Sequence, residues 1–466
     1  MKLSVKDIVK ATGGRLVSGY PNDTVERVSI DTRTLRPGDV FFALQGPRFD
    51  GHHFLKTASH RKAKAIVLSR MAADVGLAPD AASDIIQVPD TLRALQDTAR
   101  HARGQAKNTH VIGLTGSNGK TTTKDMLALI LSRAGKTLAT RGNLNNHIGL
   151  PLMLCALEPE HQYAILELGT SKTGDMDLLV DLARPQAGVI TNVGKDHLEF
   201  LGTPEGVLKE NRKLFEALPK DGIAIINLED PLLKSFAHDL PCKIVTYGRT
   251  PEAQVSATEI VLFPAPLRFL LKLGNEMRPV ALQVIGEVQV LNAMAAAAVA
   301  YALGVQGKDI VEGLQAFKPA AMRLEVQTRS DQTVIVNDAY NANPSSMRAS
   351  IESFCRSYLD RPRWLVLGDM RELGDMARLG HEDLGRWITT QPVERVFLYG
   401  RDTRHIQKGL YTQGFQGAVE RYRKKRYLID ALKRSLSATP KPAILFKASR
   451  RLQMEQVSHA LLSLPS

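Results

Sequence analysis

The stretch that most constrains this chain is residues 111–123, which read V-I-G-L-T-G-S-N-G-K-T-T-T. An apolar run turns there into a glycine-rich loop that ends in Lys120 and Thr121. The backbone N–H groups of such a loop converge on a phosphate, the next helix adds its positive N-terminus, and the lysine reaches the terminal phosphates. The Thr121 hydroxyl is then placed to bind Mg²⁺. We predict ATP as the ligand, bound by Gly116, Ser117, Asn118, Gly119, Lys120, Thr121 and Thr122.

The match to the strict phosphate-loop pattern is partial. That pattern has a glycine five residues before Gly119, where this chain has Leu114, and the additional glycines are Gly113 and Gly116. The alternative interpretation is a strand-to-helix turn that binds nothing. Two glycines, Lys120 and two hydroxyls occur together between an apolar strand and a helix, and this combination favours phosphate binding.

Length and composition indicate a folded protein of several domains. At about 150 residues per domain, 466 residues suggest three domains. The first ten residues are amphipathic and charged, unlike a signal peptide or a membrane span. Three distant cysteines, Cys155, Cys242 and Cys355, indicate neither a disulfide framework nor a zinc site. We therefore expect a cytoplasmic protein without membrane insertion, and a monomer.

The formal net charge is +13, which suits nucleic acid, an anionic membrane or small polyanionic substrates. The one dense basic run is R-Y-R-K-K-R at residues 421–426. Nucleic-acid binding by this run is one interpretation. A solvated face near a strand or helix is the simpler one, and the protein is expected to bind no nucleic acid.

Strands and helices alternate along most of the chain. We predict a small N-terminal α/β domain at residues 1–84, a central parallel-sheet domain at 85–317 and a Rossmann-like domain without G-x-G-x-x-G at 318–466. The central strands are predicted at residues 110–115, 137–140, 163–168, 187–192, 222–226 and 244–247. Those of the last domain are predicted at 333–337, 364–367, 395–398 and 443–447. Ligands bind such sheets at the carboxyl ends of the strands.

Polar residues lie at or just after the ends of predicted strands in the central domain. Glu167 follows Y-A-I-L, Asn192 follows G-V-I-T, and His197 lies in G-K-D-H-L-E. A lone histidine is more often a surface or capping residue. A carboxylate and an imidazole beside a bound phosphate suit a magnesium site, however, and we predict Thr121, Glu167 and His197 as metal ligands.

Motifs along nearly the whole chain resemble, in order, those of the Mur ligase family. They are S-I-D-T-R, A-L-Q-G-P-R-F-D-G-H-H-F, T-G-S-N-G-K-T-T-T, N-L-N-N-H-I-G-L-P, I-L-E-L-G, G-K-D-H-L-E, N-D-A-Y-N-A-N-P-S-S-M and V-L-G-D-M-R-E-L-G. The resemblance implies an ATP-dependent amide synthetase acting on UDP-N-acetylmuramoyl-tripeptide and D-alanyl-D-alanine. The peptide carboxylate attacks the γ-phosphate of ATP, and the dipeptide amine then displaces phosphate from the acyl phosphate.

The resemblance also implies roles for individual residues. Lys120, Glu167 and His197 are the catalytic residues it implies. Cations must neutralise the transferring phosphoryl group, and Lys120 and a Mg²⁺ ion on Thr121, Glu167 and His197 can do so. It adds Asn292, Arg323 and Asp338 to the ATP site. It assigns Asn145, Asn146, Tyr340, Asn341 and Asn343 to the peptide substrates, and Thr32, Arg33, Gly46 and Arg48 to the uridine nucleotide. Without the resemblance, Asn292 would be assigned to helix capping or packing.

The chain departs from the family pattern in three segments. Val288 and Gln289 replace a histidine and an asparagine, and Ala448 replaces a glycine in K-A-S-R. The lysine that family members carbamylate is Asn211 here, and we predict that no carbamate is used. Two alternatives remain open: another amino-acid ligase of the family, or a nucleotide-dependent binding protein that has lost the chemistry.

Overall fold

The computed structural model describes residues 3–47, 49–71, 83–194, 198–236, 239–262 and 266–464. Within these ranges the chain forms three large sheets, of five, nine and six strands, and two two-stranded ribbons. The three sheets follow one another along the chain, each with its own helices. This arrangement confirms the prediction of an α/β protein with three domains.

The N-terminal sheet has the order β2-β9-β8-β5-β4, in which only β2 runs antiparallel to its neighbour. The strands of this domain are β1 (Leu3–Ser4), β2 (Arg15–Ser18), β3 (Thr24–Val25), β4 (Val28–Ser29), β5 (Val40–Phe42), β6 (Gln45–Gly46), β7 (Phe49–Asp50), β8 (Ala65–Leu68) and β9 (Asp84–Gln87), and its helices are α1 (Val5–Thr12) and α2 (Leu55–His60). Because β9 pairs with β8, this sheet extends beyond residue 84, where we predicted the domain boundary.

The central sheet has the order β11-β12-β10-β13-β14-β15-β16-β17-β18. Its strands are β10 (His110–Thr115), β11 (Thr137–Ala139), β12 (Tyr163–Glu167), β13 (Ala187–Ile190), β14 (Ile223–Asn227), β15 (Lys243–Tyr247), β16 (Val255–Val261), β17 (Leu267–Leu273) and β18 (Glu276–Leu282). The helices are α3 (Thr91–Gln105), α4 (Lys120–Ala134), α5 (Gly149–Cys155), α6 (Asp175–Ala183), α7 (Leu198–Leu201), α8 (Pro204–Asn211), α9 (Lys213–Glu216), α10 (Pro231–Phe236), α11 (Val288–Ala302) and α12 (Gly307–Gln315). All six predicted strands are present. Strands β17 and β18 each run antiparallel to the strand before them in the chain.

Strand β10 is buried on both faces, which fixes the phosphate loop at its carboxyl end. Ile112 and Leu114 pack with α4, α11 and α12, whereas Val111 packs with α3, α5 and α6. Each such side chain contributes about 1.5–3 kcal/mol of stability on full burial. Helix α12 closely approaches α4, because a Cβ at Gly313 would lie 2.5 Å from the Ile130 Cα.

The C-terminal sheet has the order β19-β20-β24-β21-β22-β23, and only β19 is antiparallel. Its strands are β19 (Glu325–Thr328), β20 (Val334–Asn337), β21 (Arg363–Gly368), β22 (Arg395–Tyr399), β23 (Ala418–Tyr422) and β24 (Ala443–Lys447). Its helices are α13 (Pro344–Ser357), α14 (Ala377–Ile388), α15 (Thr403–Thr412), α16 (Lys425–Ala438) and α17 (Glu455–Leu462). The four predicted strands are confirmed.

An acidic side chain of the C-terminal domain lies at the start of α15. The buried Asp369 carboxylate accepts hydrogen bonds from the backbone N–H groups of Arg401, Asp402 and Thr403, at 2.9 to 3.1 Å. Backbone N–H groups at a helix N-terminus favour negative charge. A side chain of the protein supplies that negative charge here.

Across the described ranges, none of the helices is long and apolar enough to span a bilayer.

Candidate active site

The phosphate loop joins β10 to α4 through two glycines with left-handed backbone. Gly116 has φ +127° and Gly119 has φ +82°. A Cβ would lie 2.3 Å from Thr191 Oγ1 at the first position and 2.2 Å from Asn292 Oδ1 at the second. Both positions therefore require glycine. No side chain in the described part of the chain caps α4, so its first N–H groups remain for a phosphate.

Lys120 begins α4 and lies across this loop. Its ammonium donates to the carbonyl oxygen of Gly116 and, at 3.3 Å, to that of Ser117. The charge is thus held beside the loop whose N–H groups we predict to bind phosphate. Thr122, the last residue of the predicted set, is buried in the first turn of α4.

Thr121 and Glu167 meet beside the loop. The Thr121 hydroxyl donates to Glu167 Oε2 at 3.0 Å, and the Asn145 amide donates to Glu167 Oε1 at 2.9 Å. Glu167 ends β12 and is 3% exposed. Adjacent hydroxyl and carboxylate oxygens fit Mg²⁺, which prefers hard oxygen ligands. The third predicted ligand, His197, lies outside the described residues.

Asn145 and Asn146 differ in position although they are neighbours. Asn145 contacts the Glu167 carboxylate, as described above, and so faces the site. Asn146 Oδ1 accepts from the N–H groups of Ile148 and Gly149, at 3.1 and 2.9 Å, and so stabilises the start of α5. Its predicted substrate contact stays a prediction.

Arg323 brings the C-terminal domain to the phosphate loop. Its Nη2 donates to Thr121 Oγ1 at 2.9 Å, and its guanidinium lies 4.2 Å from the centre of the Tyr340 ring. Tyr340 therefore supports Arg323 by a cation–π contact. Asp338, also predicted at the ATP, uses both carboxylate oxygens within its own domain, for Leu324 on one side and Lys447 on the other.

A second contact between domains joins Asn118 to the start of α13. Asn118 Nδ2 donates to Ser345 Oγ at 3.1 Å, and Asn343 Nδ2 donates to Asn118 Oδ1 at 3.3 Å. Asn343 also caps α13 by accepting from Ser346 N. Asn343, which we predict to bind the dipeptide, therefore contacts the phosphate loop in this structure. Asn341, the other asparagine predicted there, is exposed.

Asn292 lies on α11 behind the loop, next to a cavity of about 240 Å³. Its amide donates to Gln289 Oε1 at 3.0 Å, and Thr123 Oγ1 donates to Asn292 Oδ1 at 3.4 Å. Gln289, one of the departures from the family pattern, therefore orients Asn292. The cavity is lined by Thr191, Asn192, Asn227, Glu229, Asp230, Pro231, Tyr247, Val288, Leu291 and Asn292.

The N-terminal domain has a cavity of about 510 Å³ that contains two of the predicted uridine-site residues, Thr32 and Arg33. Phe49 and Phe54 stack at its wall, with ring centroids 5.2 Å apart and an interplanar angle of 18°. Sequence reasoning missed both rings, although exposed aromatic residues in F-D-G-H-H-F were the available signal. Gly46 pairs with Phe49 in the ribbon β6-β7, and Arg48 lies outside the described residues.

Asn211 ends α8 directly behind the phosphate loop. It is buried, and its Oδ1 accepts from Thr115 Oγ1 at 3.3 Å and from Thr170 Oγ1 at 3.4 Å. Lys213 points elsewhere and pairs with Asp177 and Glu210. Burial alone would lower the pKa of Lys213, but its hydrogen bonds to the two carboxylates raise it. Lys213 is therefore held as a charged ammonium.

His381 fixes the loop of the L-G-D-M-R-E-L-G motif. Its Nε2 accepts from Met370 N at 2.9 Å, while Nδ1 donates to Ala377 O at 2.6 Å. The ring is fully buried, and this burial lowers its pKa below the usual 6.5. Protonation of Nε2 would break the bond to Met370.

We expect stability to fall in acid through His381. Below pH 6.5 the unfolded chain binds a proton at this residue that the folded chain does not, so the free energy of unfolding falls by about 1.4 kcal/mol per pH unit until the folded pKa is reached. Urea unfolding at pH 7.5 and pH 5.5 measures this, and His381→Gln should show the smaller difference between the two pH values. An equal pH dependence in both proteins would contradict the assignment.

Three family models match consecutive parts of the chain. Their descriptions are Mur ligase family, catalytic domain (residues 24–103), Mur ligase middle domain (residues 114–300) and Mur ligase, glutamate ligase domain (residues 322–450). They fall in turn on the N-terminal, central and C-terminal sheets, and strands β1 and β2 and most of β10 lie outside the matched residues.

Named relatives match over the full length. The UDP-N-acetylmuramoyl-tripeptide--D-alanyl-D-alanine ligase of Bacillus subtilis is 36% identical and aligns over 100% of this chain and 99% of its own. That of Escherichia coli is 35% identical over 94% of each chain. A crystal structure of MurF from Acinetobacter baumannii has a TM-score of 0.90 at 32% identity, covering 100% and 99%. MurF from Thermotoga maritima in complex with ADP has a TM-score of 0.81 at 27% identity, covering 94% and 97%. With relatives above 30% identity aligned along its whole length, the chain belongs to the Mur ligase family.

Proposed function

We propose that this protein is an ATP-dependent ligase that joins the peptide carboxylate of a UDP-N-acetylmuramoyl-tripeptide to the amine of D-alanyl-D-alanine. The observation that carries the proposal is the row of hydrogen bonds from Arg323 through Thr121 and Glu167 to Asn145, which joins two domains at the phosphate loop. The Bacillus subtilis and Escherichia coli relatives bear the name of this ligase. We place the reaction in peptidoglycan precursor synthesis in the cytoplasm, carried out by a monomer.

The reaction needs cations because a carboxylate and a triphosphate repel each other. Lys120 on α4 and Arg323 from the C-terminal domain approach the loop from two sides and neutralise the transferring phosphoryl group. They also hold the attacking carboxylate and the leaving diphosphate in line. The carboxylate oxygen forms a bond to the γ-phosphorus, ADP leaves, and the dipeptide amine then displaces phosphate from the acyl carbon.

Mg²⁺ fits the oxygens of Thr121 and Glu167, whose hydrogen bond is 3.0 Å long. When bound, Mg²⁺ withdraws charge from the phosphate oxygens. Asn145 positions the Glu167 carboxylate for this role by donating to its second oxygen. His197 stays a predicted ligand.

The substrates occupy different domains in this proposal. The stacked Phe49 and Phe54 offer the uracil ring an apolar wall. The Arg33 side chain is 87% exposed and pairs with Asp31 at 2.6 Å, and in this proposal it turns to the diphosphate when the substrate binds. ATP extends from the phosphate loop toward the cavity beside Asn292. Asn145 lies on the tripeptide side. The dipeptide enters beside Tyr340, Asn341 and Asn343.

Release of ADP tests the proposal directly. The protein should release ADP and phosphate at a high rate only when UDP-N-acetylmuramoyl-tripeptide and D-alanyl-D-alanine are both present. Equal turnover with a free amino acid in place of the dipeptide would assign the chain to another ligase of the family. Tripeptides ending in lysine and in diaminopimelate, assayed side by side, identify the third residue.

Bicarbonate should have no effect on the rate, because the Asn211 amide cannot form a carbamate and Lys213 is held as an ammonium. The measurement compares turnover in CO₂-depleted buffer with turnover after bicarbonate is restored. The matched variant is Asn211→Lys, which should make turnover depend on bicarbonate if the new lysine is carbamylated. Loss and recovery of the wild-type rate would contradict the prediction and point to Lys209 or Lys213 as the modified residue.

A further inference from the structure

Lys447, at the end of β24, lies buried next to the candidate active site. Its side chain is 4% exposed. The ammonium is 2.5 Å from Asp338 Oδ2 and donates to Asn341 O at 3.2 Å. A buried ion pair costs desolvation free energy and is weak evidence for a role in stability alone. The Lys447–Asp338 ion pair is therefore better explained by a role at the neighbouring active site.

Asp338 connects this ion pair to the segment that carries Arg323. Its Oδ2 also accepts from Ser350 Oγ at 2.5 Å, and its Oδ1 accepts from the backbone N–H of Leu324 at 3.2 Å. Leu324 is the residue directly after Arg323. The Asp338 carboxylate thus connects Lys447 on β24 and Ser350 on α13 to the backbone N–H of Leu324.

The segment around Arg323 has a strained backbone. Met322 has φ +63° and Leu324 has φ +51°, so the residues on both sides of the arginine adopt a left-handed conformation that non-glycine residues disfavour. Such strain persists only where neighbouring contacts hold it. Tyr340 N donates to Met322 O at 3.3 Å, and Asp338 holds the Leu324 side.

We propose that Lys447 is a positioning residue for the ligase reaction. It keeps Asp338 in place, Asp338 holds Leu324, and the strained segment then directs Arg323 to Thr121. Without Lys447 the Asp338 carboxylate, which is 13% exposed, loses its only charged partner among the described residues and no longer holds Leu324. The proposal rests on the proposed function for its rate measurements, but not for its structural readout.

A double-mutant cycle tests whether Lys447 acts through Arg323. Lys447→Met should lower kcat by about 10²-fold, the effect of displacing a reacting group by roughly 1 Å. The Kd for a non-hydrolysable ATP analogue should change far less than kcat, because the phosphate loop is intact. In the Arg323→Ala background, Lys447→Met should cause no further loss, since coupled residues do not add. A further loss of equal size in that background would overturn the proposal.

Hydrogen exchange gives a readout that does not depend on the substrates. Amides of residues 320–325 should exchange faster in Lys447→Met than in the wild type, because the Leu324 bond opens. Unchanged exchange there, together with a lower kcat, would overturn the proposal. If the wild type turns over neither the lysine nor the diaminopimelate tripeptide with D-alanyl-D-alanine, the proposed function fails. The exchange result still shows whether Lys447 holds the segment around Arg323.

Two further variants distinguish a specific effect of Lys447 from a general loss of folding. Ser350→Ala removes the other donor to Asp338 Oδ2 without unpairing a charge, and it should cause a smaller loss of kcat that also vanishes in the Arg323→Ala background. Lys408→Met is the matched control, because it removes an ion pair with Glu382 in the same domain and its side chain is 53% exposed. It should leave kcat and the exchange of residues 320–325 unchanged, and a loss equal to that of Lys447→Met would overturn the proposal.

Discussion

Lys120→Ala should lower the rate of ADP release by about 10³-fold or more, the cost of removing a main stabiliser of charge in phosphoryl transfer. The ammonium lies on the phosphate loop, against Gly116 O and Ser117 O, and no other lysine side chain contacts this loop among the described residues. Stopped-flow or coupled detection of ADP measures the effect. Lys308→Ala is the control, because Lys308 is 76% exposed on α12 and should be dispensable.

The same variant separates the ligase from a binding protein that has lost the chemistry. A wild-type rate in Lys120→Ala would contradict the proposed mechanism. Nucleic-acid binding that survives the substitution and weakens steeply with salt would favour the binding protein.

Arg323→Ala should also lower kcat by about 10³-fold, in line with arginines that stabilise phosphoryl transfer from a second domain. Its guanidinium is aimed at Thr121 Oγ1 and stacked on Tyr340, so the planar shape as well as the charge is used. Arg323→Lys should therefore recover only part of the rate. Single-turnover measurement of ADP formation isolates this step from product release.

The control for Arg323 is Arg361→Ala, which removes an arginine paired with Asp360 in the same domain. This variant should keep the wild-type rate. A full rate in Arg323→Lys would show that charge alone suffices and would contradict the geometric part of the account.

The parallel strands were predictable from sequence because they are buried on both faces and read as apolar runs. The three strands β16 to β18 were missed, since they form an antiparallel meander after the last predicted strand of the central domain. Residues 267–273 alternate between buried and more exposed positions, a half-buried pattern that differs from an apolar run. Strand β23 was missed because charged residues at positions 420 and 421 interrupt its apolar pattern.

That same strand explains the basic run at residues 421–426. It begins in β23, an edge strand of the C-terminal sheet, and continues into the start of α16. Charged residues on an edge strand oppose pairing with another sheet. The run thus lies at an edge strand and the start of a helix, the kind of position that the simpler interpretation of the sequence predicted.

The candidate site was predictable where one local segment supplies the geometry. The glycines, Lys120 and Thr121 follow from a single loop, and Glu167 from a single strand end. The contact of Asp338 with Lys447 was not predictable, because 109 residues separate the two in sequence and only the sheet order places β20 beside β24. The strain at Met322 and Leu324 has no signature in the residue types themselves.

The central claim is that the peptide carboxylate itself attacks ATP, and isotope transfer tests it most directly. A UDP-N-acetylmuramoyl-tripeptide labelled with ¹⁸O in the reacting carboxylate is incubated with the protein, ATP and D-alanyl-D-alanine, and the released phosphate is analysed by mass spectrometry. Displacement of phosphate from an acyl phosphate predicts one ¹⁸O atom in each released phosphate. Phosphate without ¹⁸O, released along with the amide product, would contradict the account.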